Sequence, residues 1–164
     1  MTKTILIATD YSLESLNILK KVLKEKDASE DQNQYNILLA SGYDAGDSIR
    51  DLLFTTKTSV FNKIRPAEFC DAYGIISNKY PHLVNKIICD VFTGSFHRTF
   101  NQYVKTENIE EAYYSPSIKS KGKGKFDLIP YIKKCKELQS HEITVEVRER
   151  FPERGRLAEI FVEV

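Results

Sequence analysis

Residues Thr4 to Thr9 read Thr-Ile-Leu-Ile-Ala-Thr, an apolar run closed by Asp10-Tyr11-Ser12. A run without alternation offers no face to water, so it suits a strand covered on both sides, as in a parallel sheet. Parallel neighbours cannot be joined by a tight turn; the chain must leave the sheet and return through a crossover, usually a helix. The following residues supply one. Ser12 is a residue type that opens helices, and Leu13, Leu16, Leu19 and Leu23 then share a helical face, with Lys20, Lys21 and Lys24 off it. After a polar break from Asp27 to Gln34, Tyr35 to Ala40 (Tyr-Asn-Ile-Leu-Leu-Ala) is a second strand. Strand, helix and strand in this order form a right-handed crossover unit.

The alternation continues downstream. Gly42, Asp44, Gly46 and Asp47 mark a loop, and Ser48 to Phe54 reads as a short helix. Phe69, Ala72, Tyr73, Ile76 and Tyr80 have helical spacing, with Pro66 in the first turn and Pro81 as the stop. Lys86 to Phe92 is a third strand, ended by Thr93-Gly94-Ser95. The next helix has Phe96, Phe100, Tyr103 and Val104 on its inner face. Ile109 to Tyr114 is a more polar fourth strand, followed by a Ser-, Lys- and Gly-rich loop from Ser115 to Lys125 and a short helix from about Asp127 to Cys135. Ile143 to Val147 and Ala158 to Val164 alternate apolar and charged residues, so each has one wet face; Phe151 to Gly155 between them suits a reversal. The expected architecture is α/β, a doubly wound parallel five-stranded sheet with an extra C-terminal edge strand, spanning residues 1–164 as one domain.

Composition restricts function. The chain of 164 residues has 24 basic and 23 acidic side chains, a near balance that disfavours nucleic acid, whose binders take most of their affinity from phosphate contacts. No charged segment followed by an apolar stretch opens the chain, and no run is long enough to span a bilayer, so neither export nor a membrane is expected and a cytoplasmic location is. Cys70, Cys89 and Cys135 are scattered and lack a Cys-x-x-Cys or His/Cys partner set, which makes them buried reduced thiols rather than a zinc site or disulfide framework. His82, His97 and His141 lie in three different elements without metal-ligand spacing. The sequence therefore points to no metal and no resident cofactor.

The segment from Ile5 to Leu16, with its strand, Asp10, Ser12 and amphipathic helix, resembles the opening of universal stress proteins. Asp90 to Gly94 is similar to that family's third-strand end, and Thr99 through Ile109 to its third helix and fourth strand. The resemblance implies a parallel sheet of order 3-2-1-4-5, with the loops after strands 1 and 4 leaving in opposite directions and making a crevice for ligands. It also implies a homodimer through the C-terminal strands. ATP-binding members carry Gly, two residues, Gly, nine residues, then Gly-Ser or Gly-Thr after strand 4. Starting that template at Ser115 puts Ile118 at the second Gly and Leu128-Ile129 at the end, so the motif is absent. Those glycines allow backbone N–H groups to approach phosphates, which Ile and Leu side chains obstruct.

The candidate ligand-binding residues are Asp10 and Ser12 from the strand-1 end, with Ser115, Ser117, Lys119, Lys121, Gly122, Lys123 and Gly124 from the loop after strand 4. Ammonium groups, hydroxyls and accessible backbone donors together suit an anionic small molecule. The same alternation of Lys and Gly is found in solvated loop tips, and composition alone favours that simpler reading. Asp10 has two readings, a ligand contact or a cap on the first helix, with Ser12 the better-placed cap. No nucleophile elbow of the Gly-x-Ser-x-Gly kind and no paired carboxylates occur, so catalysis is not expected. The leading expectation is a universal-stress-like binding or regulatory protein without ATP turnover. The competing one is a nucleotide or phosphate binder that uses the lysine-rich loop. A phosphoacceptor receiver fits poorly, because strand 1 ends in a single acid and Asp90 lies inside strand 3.

Overall fold

Along β1 (Thr2–Ala8), Ile5 and Ile7 enter one apolar cluster while Leu6 and Ala8 enter another, so the central strand is buried on both faces. The period-two geometry of a strand makes this sorting automatic. The computed structural model describes residues 1–30, 32–44, 57–94, 96–120 and 124–145. β1 pairs in parallel with β2 (Gln34–Tyr43), whose Tyr35, Ile37 and Leu39 face the first cluster and whose Leu38 and Ala40 face the second. On its far side β2 pairs in parallel with β3 (Val84–Phe92), and β1 pairs in parallel with β4 (Ile109–Tyr114).

The helices divide between the faces. α1 (Leu16–Ala28) puts Leu16, Ile18, Leu19, Val22 and Leu23 into the first cluster, joined by Val60 and Ile64 of α2 (Lys57–Ile64) and by Phe69, Ala72 and Ile76 of α3 (Ala67–Lys79). α4 (His97–Thr106) and α5 (Ile129–Lys134) cover the opposite face with Phe100, Val104, Ile129 and Ile132. A two-residue strand, β5 (Lys125–Phe126), pairs antiparallel with the carboxyl end of β2, and β6 (Gln139–Glu142) pairs in parallel with β4. The strand order is β3-β2-β1-β4-β6, with β5 joined to β2. The expected α/β sheet with the 3-2-1-4 core and a parallel fifth strand beyond β4 is present.

Several local readings need correction. The fifth strand is Gln139–Glu142 and not Ile143 to Val147. Its four residues are polar and exposed and are extended because their backbone pairs with β4, whereas Ile143 and Val145 turn inward as apolar anchors. Phe96 stands just before α4 and is 72% exposed, so it is not on the inner face. α1 begins at Leu16; Ser12 to Ser15 form the turn that enters it, with backbone bonds from Ser15 to Ser12 and from Leu16 to Leu13. Cys135 is buried, but Cys70 and Cys89 are only half-buried. The short helix read at 48–54, the reversal at 151–155 and the strand at 158–164 lie outside the described residues.

Tyr11, immediately after β1, has φ 60°, a left-handed conformation that ordinary residues avoid at a cost of roughly 1–2 kcal/mol. The turn drives its ring into the first cluster, edge-on to Phe69 with centroids 5.1 Å apart and to Phe61 at 6.2 Å. Its hydroxyl donates toward the Leu39 carbonyl of β2 (3.0 Å) and the Asp90 carbonyl of β3 (2.5 Å). Ring burial worth roughly 2–3 kcal/mol and hydrogen bonding worth about 1 kcal/mol outweigh the backbone strain. Tyr11→Phe keeps the ring and leaves the carbonyls without the phenol, so urea denaturation should show a loss of about 1–3 kcal/mol.

Glu111 links three elements. Its carboxylate accepts from Lys26 of α1 at 3.1 Å and from the Tyr113 hydroxyl at 2.5 Å, and His141 of β6 lies 3.9 Å away. Burial opposes ionisation, but the Tyr113 and Lys26 hydrogen bonds, with the Lys26 and His141 charges, hold the carboxyl below its ordinary range. A carboxyl depressed in the folded state contributes stability above its unfolded pKa and loses it as pH falls through the folded value. Glu111→Gln should therefore be less stable than the parent at neutral pH, and the gap should close on acidification. A gap independent of pH would remove the ionic part of this explanation.

Candidate functional site

The order β2-β1-β4 makes β1 and β4 the pair whose outgoing connections diverge, one toward β2 and the other toward β6. Open α/β sheets bind ligands at the carboxyl edge of such a switch point. Here β1 ends in a chain of hydroxyls. The Tyr11 N–H donates to Thr9 Oγ1 at 2.9 Å, and Thr9 Oγ1 lies 2.6 Å from Ser15 Oγ, which itself donates to the Ser12 carbonyl at 2.7 Å. Since the Ser15 proton is committed to that carbonyl, Thr9 is the donor to Ser15. Asp10 Oδ1 accepts both the Ser12 N–H (2.9 Å) and the Ser12 hydroxyl (2.5 Å), and Ser12 Oγ accepts the Ser15 N–H at 3.3 Å. Asp10 and Ser12 thus build the turn that leads into α1; the N-cap position itself is Ser15 and not the expected Ser12.

The loop from β4 is tied down more firmly than its composition suggests. Ser115 is 1% exposed, its hydroxyl paired with Ser117 at 2.9 Å, and Ser117 Oγ donates to the Val145 carbonyl at 2.9 Å. Ile118 is 7% exposed and belongs to the first apolar cluster. Ser120 Oγ lies 3.2 Å from Ser41 Oγ of β2. Gly124 has φ +77° and packs against Tyr43, and its carbonyl accepts the Asp44 N–H at 2.6 Å. Lys125 belongs to β5 rather than to a free tip, and Leu128 and Ile129 are buried in the second cluster. The solvated-tip reading therefore fails for Ser115, Ile118 and 124–126, while Pro116 and Ser117 are exposed. Lys121, Gly122 and Lys123 lie outside the described residues.

Lys119 is exposed, and its charge acts on Asp127, a residue the sequence reading did not single out. Burial pushes the Asp127 carboxyl above its ordinary range, and the nearby Asp10 carboxylate adds to the effect; the Ile129 N–H, Lys119 and Lys133 pull against it. Asp10 and Lys119 thus both act on Asp127, one raising and the other lowering its carboxyl. Asp127 accepts the Ile129 N–H at 3.3 Å, and the order Asp127-Leu128-Ile129-Pro130 is a readable helix-start signal. Its nearness to Asp10 is tertiary and left no mark in the sequence. The group can hydrogen-bond a polar ligand through its carboxylates and hold a negative charge at Lys119. Among the described residues no cluster of three or more His, Cys, Asp or Glu side chains is gathered for a metal. No described helix is long and apolar enough to cross a membrane.

His97 opens α4, as its sequence position implied, but its ring lies against Tyr131 with centroids 4.7 Å apart. Phe92, Phe100, Tyr103, Phe126 and Tyr131 form the aromatic packing beneath, with Phe92 5.3 to 6.2 Å from each of the others. Asp90 is buried beside it, accepting the Tyr103 hydroxyl at 2.9 Å and the Val91 N–H at 2.8 Å.

Solved structures share this fold. The universal stress protein UspA from Lactobacillus plantarum superimposes with a TM-score of 0.56 at 12% identity, covering 87% of this chain and 97% of that one. A universal stress family protein from Arabidopsis thaliana, solved with AMP bound, gives 0.51 at 13% identity over 93% of this chain and 98% of that one. No family model matches the sequence, and no curated protein matches it. The chain has the universal-stress-protein fold.

The raised Asp127 carboxyl gives a directional test. Such a group contributes stability that is fully present below its unfolded pKa and lost as pH rises through the folded value. Asp127→Asn keeps an acceptor for Ile129 and removes the charge, so its stability relative to the parent should improve from about pH 3 to about pH 7, across the carboxylate range. Chemical denaturation at both pH values measures this. An advantage that shrinks with rising pH would mean that Lys119 and Lys133 outweigh burial.

Proposed function

We propose that this chain is a universal-stress-type regulatory binding protein that accepts a small polar ligand at the β1/β4 edge and does not turn ATP over. The observation that carries the reading is the burial of Ile118, Leu128 and Ile129, which the ATP-binding template started at Ser115 puts at its second Gly and its closing Gly-Ser. A phosphate cradle requires backbone N–H groups that point into open space with no side chain in the way. Here the same stretch anchors the loop in both apolar clusters. The proposal includes a cytoplasmic homodimer associating through its C-terminal strands.

A second reading is a nucleotide or phosphate-ligand binder in which Lys119 and its neighbouring lysines replace the glycine loop. It draws on the Lys119 charge acting on Asp127, and on the AMP bound to the Arabidopsis protein of the same fold.

Calorimetric titration with Mg-ATP and with AMP, alongside a phosphate-release assay, separates the two. The first reading expects no hydrolysis above background and ATP affinity no tighter than about 1 mM, roughly 4 kcal/mol. Micromolar ATP binding that Lys119→Ala weakens tenfold or more would replace it with the second.

A further inference from the structure

After leaving β4 the chain does not clear the sheet edge. Ser120 meets Ser41 of β2, β5 pairs with Gly42 and Tyr43, and Gly124 bonds to Asp44. Because β1 lies between β4 and β2, this path carries the chain past the carboxyl end of β1, the strand that Thr9 follows. Ile118 anchors the start of the crossing in one apolar cluster and Leu128 the end in the other.

The contact with β2 is unusually close. A Cβ at Gly42 would come within 2.5 Å of two Phe126 ring carbons and 2.6 Å of the Phe126 carbonyl oxygen. The backbone clash cannot be relieved by a rotamer change, so β5 reaches β2 only because residue 42 has no side chain.

The start of the crossing is also tied to the last described residues. Ser117 Oγ donates to the Val145 carbonyl, and Ile118, Ile143 and Val145 share the first cluster. The 143–145 segment has two further holds, from the Ile143 N–H to the Tyr114 carbonyl at 2.8 Å and from Lys21 Nζ to the Thr144 carbonyl.

The geometry points to a closing strap: residues 115–120 and 124–126 shut the switch-point crevice, and their displacement loosens residues 143–145. A ligand that reaches Thr9 and Asp10 must lift the strap from β2, and the Ser117–Val145 bond passes that movement toward the carboxyl-terminal part of the chain. The site is thereby coupled by direct contact to a segment remote from it in sequence. This inference concerns regulation of the site assigned above and rests on that reading only for the identity of the ligand.

Hydrogen exchange read by mass spectrometry tests it in the full chain. Gly42→Ala is a wedge that spares every candidate ligand contact. It should speed exchange at least tenfold in 124–126 and in 143–145, with β1 still protected. Ser117→Ala should speed exchange in 143–145 and leave 124–126 unchanged. If the wedge unfolds the chain, Ser120→Ala removes only the hydroxyl pair with Ser41 and should give the same pattern more weakly. Opening at 124–126 without any change at 143–145 overturns the coupling; unchanged exchange at 124–126 overturns the strap. AMP titrated into both forms should bind the wedge variant more tightly. Equal AMP affinity in parent and variant overturns closure. If neither form binds AMP while the exchange pattern holds, the strap stands and the nucleotide reading of the crevice falls.

Discussion

β1 has no face available to water, and the remaining architecture is arranged around that constraint. Ile5 and Ile7 on one side and Leu6 and Ala8 on the other require helices on both faces of the sheet, and a strand covered twice must be flanked twice. β2 and β4 provide the flanks, one reached through α1 and the other only after the chain has crossed to the opposite layer. The change of layer and direction between β1 and β4 creates the crevice, so the site follows from burying the central strand.

The close of β1 shows how local strain is tolerated at such a point. Tyr11 takes a left-handed turn that few residue types accept, because its side chain then reaches carbonyls on two other strands and two aromatic rings. Burial pushes the Tyr11 phenol well above its usual pKa, and the Cys89 and Asp90 charges add to this. The hydroxyl is therefore a neutral donor at physiological pH, as two carbonyl acceptors require. With Tyr11 held inward, Asp10 and Ser12 stay on the crevice side and form the first turn of the helix entry.

Most of the sheet was legible because its inner strands bury both faces: Ile5 to Ala8 and Ile37 to Ala40 are continuous enough to read directly, and the more polar Ile109 to Tyr114 was placed by its position after a helix. β6 was not, since Gln139 to Glu142 carry no apolar pattern and become a strand only through pairing with β4. β5 left no signal for the same reason: two residues are too few for periodicity, and what places them is the missing side chain at Gly42. At the site, Asp10 and Ser12 were visible as strand-end residues. Asp127, Ser41 and Ser120 were not, because they meet the others through tertiary folding. The lysine-rich loop misled in a specific way. Its polar composition concealed Ile118, one apolar residue among serines and lysines, whose burial decides where the loop lies.

The same residue underlies the proposed reading, in which a universal-stress-protein fold carries a loop after β4 that departs from the family's glycine template. A glycine-rich loop holds phosphate with backbone alone and contributes little to the core, so it depends on its ligand for order. Replacing two of its fixed points by Ile118 and by Leu128-Ile129 gives the loop apolar anchors of its own. Each fully buried aliphatic side chain is worth roughly 1.5–3 kcal/mol, comparable to what a weakly bound nucleotide would supply. The described parts of the loop, 115–120 and 124–126, are held by their own contacts with the two clusters and with β2. In the proposed reading a ligand competes with those side chains. That competition favours a compact polar molecule able to reach Asp10 from one side over an extended triphosphate that needs the whole length of the loop.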